Sequence, residues 1–266
     1  MVEIIGFAAS ILIGVSLGLI GGGGSILTVP VLFYIFGVDM VTATAYSLFI
    51  VGLTSAVGTV QYAKMKLVNV KTAIVFGAPS IVAVFLTRKF IVPAIPVHIM
   101  NIGSLELTRD LLLLLLFALL MVVASYSMIK KPKKVAEVEG PQKFNFPLIL
   151  IEGAIVGVLT GLVGAGGGFL IIPALVILSK LPMKEAVGTS LAIIAAKSLL
   201  GFMGEGGETI IDWRFLFIIS AFAIVGIFVG SALAKRIDGK KLKPGFGWFV
   251  LVMGIYIILK ETVFNG

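Results

Sequence analysis

The chain has 266 residues and no cysteine, 59% of it hydrophobic and 13% charged, and 21 Lys+Arg against 13 Asp+Glu leave a net charge of +8. Soluble domains carry about 25% charged residues, so this composition excludes a soluble enzyme, a disordered chain and a secreted disulfide scaffold. The lack of cysteine also removes thiolate metal sites, and a chain this apolar has no aqueous surface with which its positive surplus could bind nucleic acid.

Membrane is therefore the first reading. A spanning helix needs about 20 mainly apolar residues. The first apolar segment, Ile4–Phe36, is about 33 residues long and is interrupted by Gly21-Gly22-Gly23-Gly24. It starts Met1-Val2-Glu3, without the basic stretch of a signal peptide. Ordinary spans are predicted over Val41–Tyr62, Val70–Arg88 and Leu111–Ile129. The stretch Lys130–Asn145, polar with Pro132, Gly140 and Pro141, reads as a linker. A second long segment, Pro147–Ser179, is interrupted by Gly164-Ala165-Gly166-Gly167-Gly168. Spans over Glu185–Met203, Trp213–Ala234 and Gly245–Leu259 follow. Each glycine costs about 1 kcal/mol against Ala inside a helix, so both runs should break their helices. In lipid such a break survives only where protein or a cavity surrounds it.

The two broken segments are one sequence shifted by 143 residues. Gly14, Gly18, Gly21, Gly23, Gly24 and Pro30 fall on Gly157, Gly161, Gly164, Gly166, Gly167 and Pro173. Without a gap, Met40, Ala43, Ser47 and Leu48 fall on Met183, Ala186, Ser190 and Leu191. Past Gly58 and Gly201 only hydropathy still matches. The units are therefore 1–129, the linker 130–145, and 146–266.

Loops rich in Lys and Arg belong on the cytoplasmic side. The linker, the Lys64–Lys71 loop, the Lys180–Lys184 loop and the Lys235–Lys243 stretch read as inside, and the Glu205–Asp212 loop as outside. Pro147–Ser179 then lies between two inside loops and must enter and return on one face. The same rule makes Ile4–Phe36 a hairpin from the opposite face. The expectation is an all-α polytopic protein of the plasma or inner membrane. It has two inverted repeats, each a re-entrant broken-helix hairpin plus three transmembrane helices. The linker is cytoplasmic and both termini are outside. This places 15 basic residues inside and five outside, Arg88 among them, with Lys197 inside a span. A topology in which Ile4–Ile20 crosses fully would put a basic loop outside.

Each hairpin's short second arm, about Ser25–Phe36 and Gly168–Ser179, should begin at its glycine turn. A helix N-terminus presents unpaired N–H groups and about half a positive charge, which suits an anion. Inverted halves would bring the two turns together near the midplane. Candidate substrate contacts are Gly21, Gly22, Gly23, Gly24 and Ser25, and Gly164, Ala165, Gly166, Gly167 and Gly168. Thr42, Thr44, Ser47, Thr54 and Ser55 on the first following span, and Thr189, Ser190 and Ser198 on its counterpart, add hydroxyls, of which Ser47, Thr54, Thr189 and Ser190 are taken as substrate contacts. Gly14, Gly18, Gly157 and Gly161, spaced by four, fit close helix packing instead. Lys197 sits inside its span, where a charge is read as functional by default. Snorkelling to the outer interface is its rival reading. Its counterpart in the first half is Thr54. Glu152 either carries a coupling proton, pairs with a lysine or sits at the interface. No nucleotide-binding loop, metal constellation or nucleophile–base pair is visible, and no cofactor is expected.

The runs Gly18-Leu-Ile-Gly-Gly-Gly-Gly-Ser-Ile-Leu-Thr-Val-Pro30 and Gly161-Leu-Val-Gly-Ala-Gly-Gly-Gly-Phe-Leu-Ile-Ile-Pro173 resemble the duplicated signature of the TauE/SafE family of sulfite exporters, also called TSUP permeases. The resemblance extends over essentially the whole chain. It implies export or uptake of sulfite, organosulfonates or related oxyanions, and gives neither direction nor energetics. Secondary transport by alternating access, with a proton or cation as the coupling ion, is the expectation, and the spans carry no His/Asp/Glu cluster of the kind an enzyme would need. An anion channel, or a permease for another small oxyanion or carboxylate, has the same sequence features. Oligomeric state has no signature here.

Overall fold

The computed structural model describes residues 2–102, 105–129, 146–164, 166–177, 181–205, 211–234 and 239–264. The linker 130–145 and Ala165 lie outside these. Among the described residues the fold is helical, with one small hairpin of strands. Five helices are long and apolar enough to cross a membrane: Met40–Lys64, Val70–Ala94, Arg109–Tyr126, Met183–Met203 and Trp213–Ala234. The sixth expected span lies in a helix over Gly239–Leu259.

The first segment breaks where its glycines stand. Helix α1 (Val2–Ile20) ends at a 3-10 turn, Gly21–Leu27, which passes into α2 (Thr28–Pro30) and a π-helical turn, Val31–Ile35. A regular α-helical short arm over Ser25–Phe36 is thus not what forms. Four glycines favour no single helical geometry, and the arm changes pitch twice. The second segment follows expectation more closely: α7 (Phe146–Val163) stops at Gly164, and α8 (Gly168–Ile177) runs on beyond the turn. Gly21 and Gly164, equivalent under the 143-residue shift, both have positive φ, +70° and +71°. A residue with a Cβ is strained there.

The shift also holds beyond the broken segments. Helices α3 (Met40–Lys64) and α9 (Met183–Met203) start 143 residues apart, as do α4 (Val70–Leu86) and α10 (Trp213–Ala234). Helix α4 is capped by Asn69, whose Oδ1 accepts from Thr72 N–H at 3.0 Å. Asp212 caps α10 in the same way, accepting from Phe215 N–H at 3.0 Å. The following elements are α5 (Val92–Ala94), β1 (His98–Ile102), β2 (Leu105–Thr108), α6 (Arg109–Ile129) and, last, α11 (Gly239–Leu259). The two strands pair antiparallel, and His98 Nδ1 lies 3.1 Å from the Glu106 carboxylate with both side chains exposed.

Contacts between the halves are reciprocal. Helix α1 packs on α10 of the other half, and α7 packs on α4. A Cβ on Gly14 would overlap the Ala223 carbonyl oxygen, and one on Gly157 would stand 2.5 Å from that of Ser80. Close backbone approach is therefore the role of these two glycines. Helices α3 and α9 cross at the centre with their numbering in opposite senses. A Cβ on Gly58 would meet Leu191 at 3.3 Å, and one on Gly201 would meet Leu48 at 3.5 Å. Asn69 N–H donates to Thr189 Oγ1 at 2.9 Å, and its equivalent, Asp212 N–H, donates to Tyr46 Oη at 2.7 Å.

Polarity is arranged as a membrane solvent requires. Leu12, Ile74, Leu119, Ile151, Phe217 and Val252 are exposed, whereas Ser47, Thr54, Ser55, Ser190, Lys197 and Ser198 are fully buried. Hydrocarbon outside favours this exposure of large apolar side chains.

Candidate functional site

Helix α8 begins at a constrained turn. Gly166 and Gly167 have φ of +61° and +69°. The first bonds of α8 run from Leu170 N–H and Ile171 N–H to the Gly167 carbonyl, each at 3.0 Å. The amides of Gly167, Gly168 and Phe169 stand at the N-terminal, positive end of this helix.

The crossing of α3 and α9 delivers side chains to this turn. A Cβ on Gly166 would lie 2.7 Å from Val51, 3.2 Å from Ile194 and 3.4 Å from Ser198 Oγ. Val51 and Ile194 are equivalent under the repeat, so Gly166 sits between matching positions of the two halves. A Cβ on Gly167 would overlap Thr160 Cγ2 and stand 2.6 Å from Lys197 Nζ. Lys197 is fully buried and donates to Thr160 Oγ1 at 3.1 Å. Thr160 in turn donates to the Val156 carbonyl at 2.7 Å. Among the described residues no carboxylate lies within ion-pair distance of Lys197. The ammonium is thus enclosed by protein at the glycine turn, and the snorkelling geometry does not form.

The other expected residues fall into three groups. Gly21 is at a comparable turn: a Cβ there would stand 3.2 Å from Ser190 Oγ, 3.1 Å from Ile172 of α8 and 3.0 Å from Val187. Through Ile172 the two hairpins touch. Ser190 donates to the Val187 carbonyl at 2.8 Å, and Gly164 lies against Thr44. Second, Ser47 and Thr54 are fully buried, and their hydroxyls meet no hydrogen-bond partner among the described residues. Ser55 and Ser198, on the same two spans, are in the same condition. Third, some residues stand apart. Thr189 is held by the Asn69 amide. Glu152 is half-buried on α7, eight residues or about 12 Å of helix before Thr160. Gly22, Gly23 and Gly24 lie in the 3-10 turn, and Ser25 is buried beside them. Because the first short arm is not a regular α-helix, the amide-terminus argument applies to the second hairpin alone.

Buried polar groups normally find partners, and each that does not costs about 1–3 kcal/mol. A helix N-terminus, an enclosed ammonium and several unbonded hydroxyls are what a small oxyanion would satisfy. Among the described residues no cluster of three or more His, Asp or Glu side chains could hold a metal.

Comparison with known proteins agrees with a membrane protein built on these segments. The family model described as sulfite exporter TauE/SafE matches residues 6–257. The chain belongs to the TauE/SafE family. Relatives of this TauE/SafE chain include a probable membrane transporter protein of Xylella fastidiosa, 30% identical, the match covering 94% of this chain and 92% of that one. Another is the probable membrane transporter protein MJ0441 of Methanocaldococcus jannaschii, 29% identical over 96% and 94% of the two chains. A third is the probable membrane transporter protein YdhB of Bacillus subtilis, 25% identical over 93% and 96%. No solved structure matches significantly.

For this TauE/SafE chain the turn geometry gives a controlled prediction. Gly167→Ala adds a Cβ at positive φ against Thr160 and Lys197, whereas Gly37→Ala adds one at φ +67° with nothing within 4 Å. Gly37→Ala should cost only its backbone strain, about 1–3 kcal/mol. Gly167→Ala should cost a further 1–3 kcal/mol or so from overpacking and should also abolish transport. Uptake and thermal unfolding in detergent, measured on both variants, check this; equal behaviour would contradict it.

Proposed function

We propose that this chain is a secondary permease for small sulfur-containing anions such as sulfite or organosulfonates. The anion is held between the Gly166–Gly168 turn, Lys197 and the buried hydroxyls of α3 and α9. The observation that carries this reading is the enclosed Lys197 ammonium, packed on Gly167 and bonded only to a hydroxyl among the described residues. A buried cation without a carboxylate is costly, and an anion delivered to it recovers that cost. The family match supports transport, and its description supports the sulfur-containing class.

The same reading takes the units 1–129 and 146–266 as inverted halves, with 130–145 cytoplasmic and both termini outside. The opposed numbering of α3 and α9 supports inversion. So does the exchange of polar contacts between Asn69–Thr189 and Asp212–Tyr46. Alternating access would then rock the hairpins against the α3–α9 crossing.

Flux into proteoliposomes tests the site. Sulfite or a sulfonate should enter, sulfate and chloride should compete poorly, and Lys197→Ala should cut uptake at least about 100-fold, as expected when a buried charged partner worth about 3 kcal/mol is lost. If none of the sulfur anions moves, the substrate class is wrong; if Lys197→Ala transports normally, the site is wrong. Orientation has its own test in a chain without cysteine. Single cysteines at Asp39 and Lys180 should label from opposite faces, and labelling from one face would contradict the inverted arrangement.

A further inference from the structure

The sequence reading assigned Arg88 to an outer loop. The structure corrects this. Helix α4 does not end there but continues through a π-helical turn, Thr87–Ile91, into α5, and Arg88 lies inside the protein at 1% exposure. Its Nη1 lies 3.5 Å from Glu205 Oε2. Its Nε, Nη1 and Nη2 have no hydrogen-bond partner among the described residues. A guanidinium is a fork of five donors that fits an oxyanion bidentately. At 3.5 Å, with no hydrogen bond between them, the Glu205 contact uses little of that capacity.

The position of Arg88 connects it to the site. The preceding residue, Thr87, packs on Gly161: a Cβ there would lie 2.8 Å from Thr87 Cβ. Gly161 adjoins Thr160, the residue that holds Lys197. Glu205 follows Lys197 by eight residues, about 12 Å of helical rise. Two cations therefore flank the C-terminal end of α7, one beside the glycine turn and one towards the Glu205 end. Under the 143-residue shift, Lys197 corresponds to Thr54 and Arg88 to Ser231. Ser231 is a plain hydroxyl bonded to the Ile227 carbonyl at 2.7 Å. Both cations thus stand beside the second hairpin, and the equivalent positions, Thr54 on α3 and Ser231 on α10, carry hydroxyls.

We propose that Arg88 is a second anion subsite, on the path between the Glu205 end of α9 and Lys197. In this arrangement Glu205 is a resident carboxylate that an incoming oxyanion of the sulfite or sulfonate type displaces from the guanidinium. The proposal rests on the anion-permease reading above. A buried ion pair kept only for structure would be a weak source of stability, whereas an exchangeable one can take up and release an anion.

The test measures sulfite uptake against concentration in proteoliposomes, for protein shown to be folded by its thermal transition in detergent. Arg88→Lys keeps the charge but loses the fork. It should raise the apparent KM about tenfold with a smaller change in maximal rate. Glu205→Gln removes the competitor and should lower the apparent KM. A purely structural pair predicts loss of folded protein and no fall in KM for Glu205→Gln. The charge-swapped double variant Arg88→Glu with Glu205→Arg keeps that test open if the single variants unfold. A structural pair predicts that the swap restores both folding and uptake. The proposal predicts restored folding with KM still raised, because the guanidinium has moved to the other chain segment. An unchanged KM in Arg88→Lys, or restored uptake in the swap, overturns the subsite while leaving Lys197 and the permease reading standing. If the parent moves no sulfite or sulfonate, the permease reading fails and the subsite falls with it.

Discussion

A helix broken inside hydrocarbon leaves backbone N–H and C=O groups with no water to bond. Every other feature of this protein is organised around two such breaks. The runs beginning at Gly21 and Gly164 interrupt apolar helices and must be enclosed by the rest of the chain. The crossing of α3 and α9 provides that enclosure. Gly52 of α3 lets Leu199 of α9 approach closely, and the buried hydroxyls of both helices face inward. The long helices α1 and α7 are anchored on the opposite half through Gly14 and Gly157, where only a residue without a Cβ allows the backbones to meet. The spans can then turn large apolar side chains such as Leu12, Ile74 and Phe217 outward, because their hydroxyls have been taken inside.

Within this frame the two halves share a scaffold and differ in chemistry. Their helices start at matching positions, their N-caps match at Asn69 and Asp212, and each half lends a hydroxyl to the other's cap. The cations break the symmetry. Lys197 and Arg88 both lie by the second hairpin, where α8 is a regular helix with its amide end at the glycine turn. The equivalent places carry Thr54 on α3 and Ser231 on α10, and the first hairpin has a short arm of mixed pitch. The two turns match in their glycines, and in the proposed reading substitution at a few positions makes the second of them the electrostatic one.

Much of this was legible in the residues. The glycine runs marked where the helices break, the 143-residue shift marked helices that start at matching positions, and the intramembrane lysine stands buried at the second turn. The remainder was hidden for physical reasons. Asn69 and Asp212 are equivalent as caps but differ in identity, so a residue-by-residue match loses them. Arg88 stands where hydropathy falls, which reads as the end of a span. Only the π-helical continuation into α5 shows that it is inside. The first short arm is apolar apart from Ser25 and Thr28, and its sequence carries no periodicity that would distinguish 3-10, α and π winding. Which of the intramembrane hydroxyls stay unbonded is not written in the sequence, because any hydroxyl in an apolar helix can bond its own backbone: Ser190 does, whereas Ser55 and Ser198 meet no partner among the described residues.

The central claim is that an oxyanion sits between Lys197 and the second glycine turn. Selenite, the heavier analogue of sulfite, can be located directly by the anomalous scattering of selenium in crystals of the protein. The account predicts one strong peak in contact with Lys197 Nζ and the Gly167 amide, lost in Lys197→Ala. A peak confined to the first hairpin, or one that persists unchanged in Lys197→Ala, would contradict it.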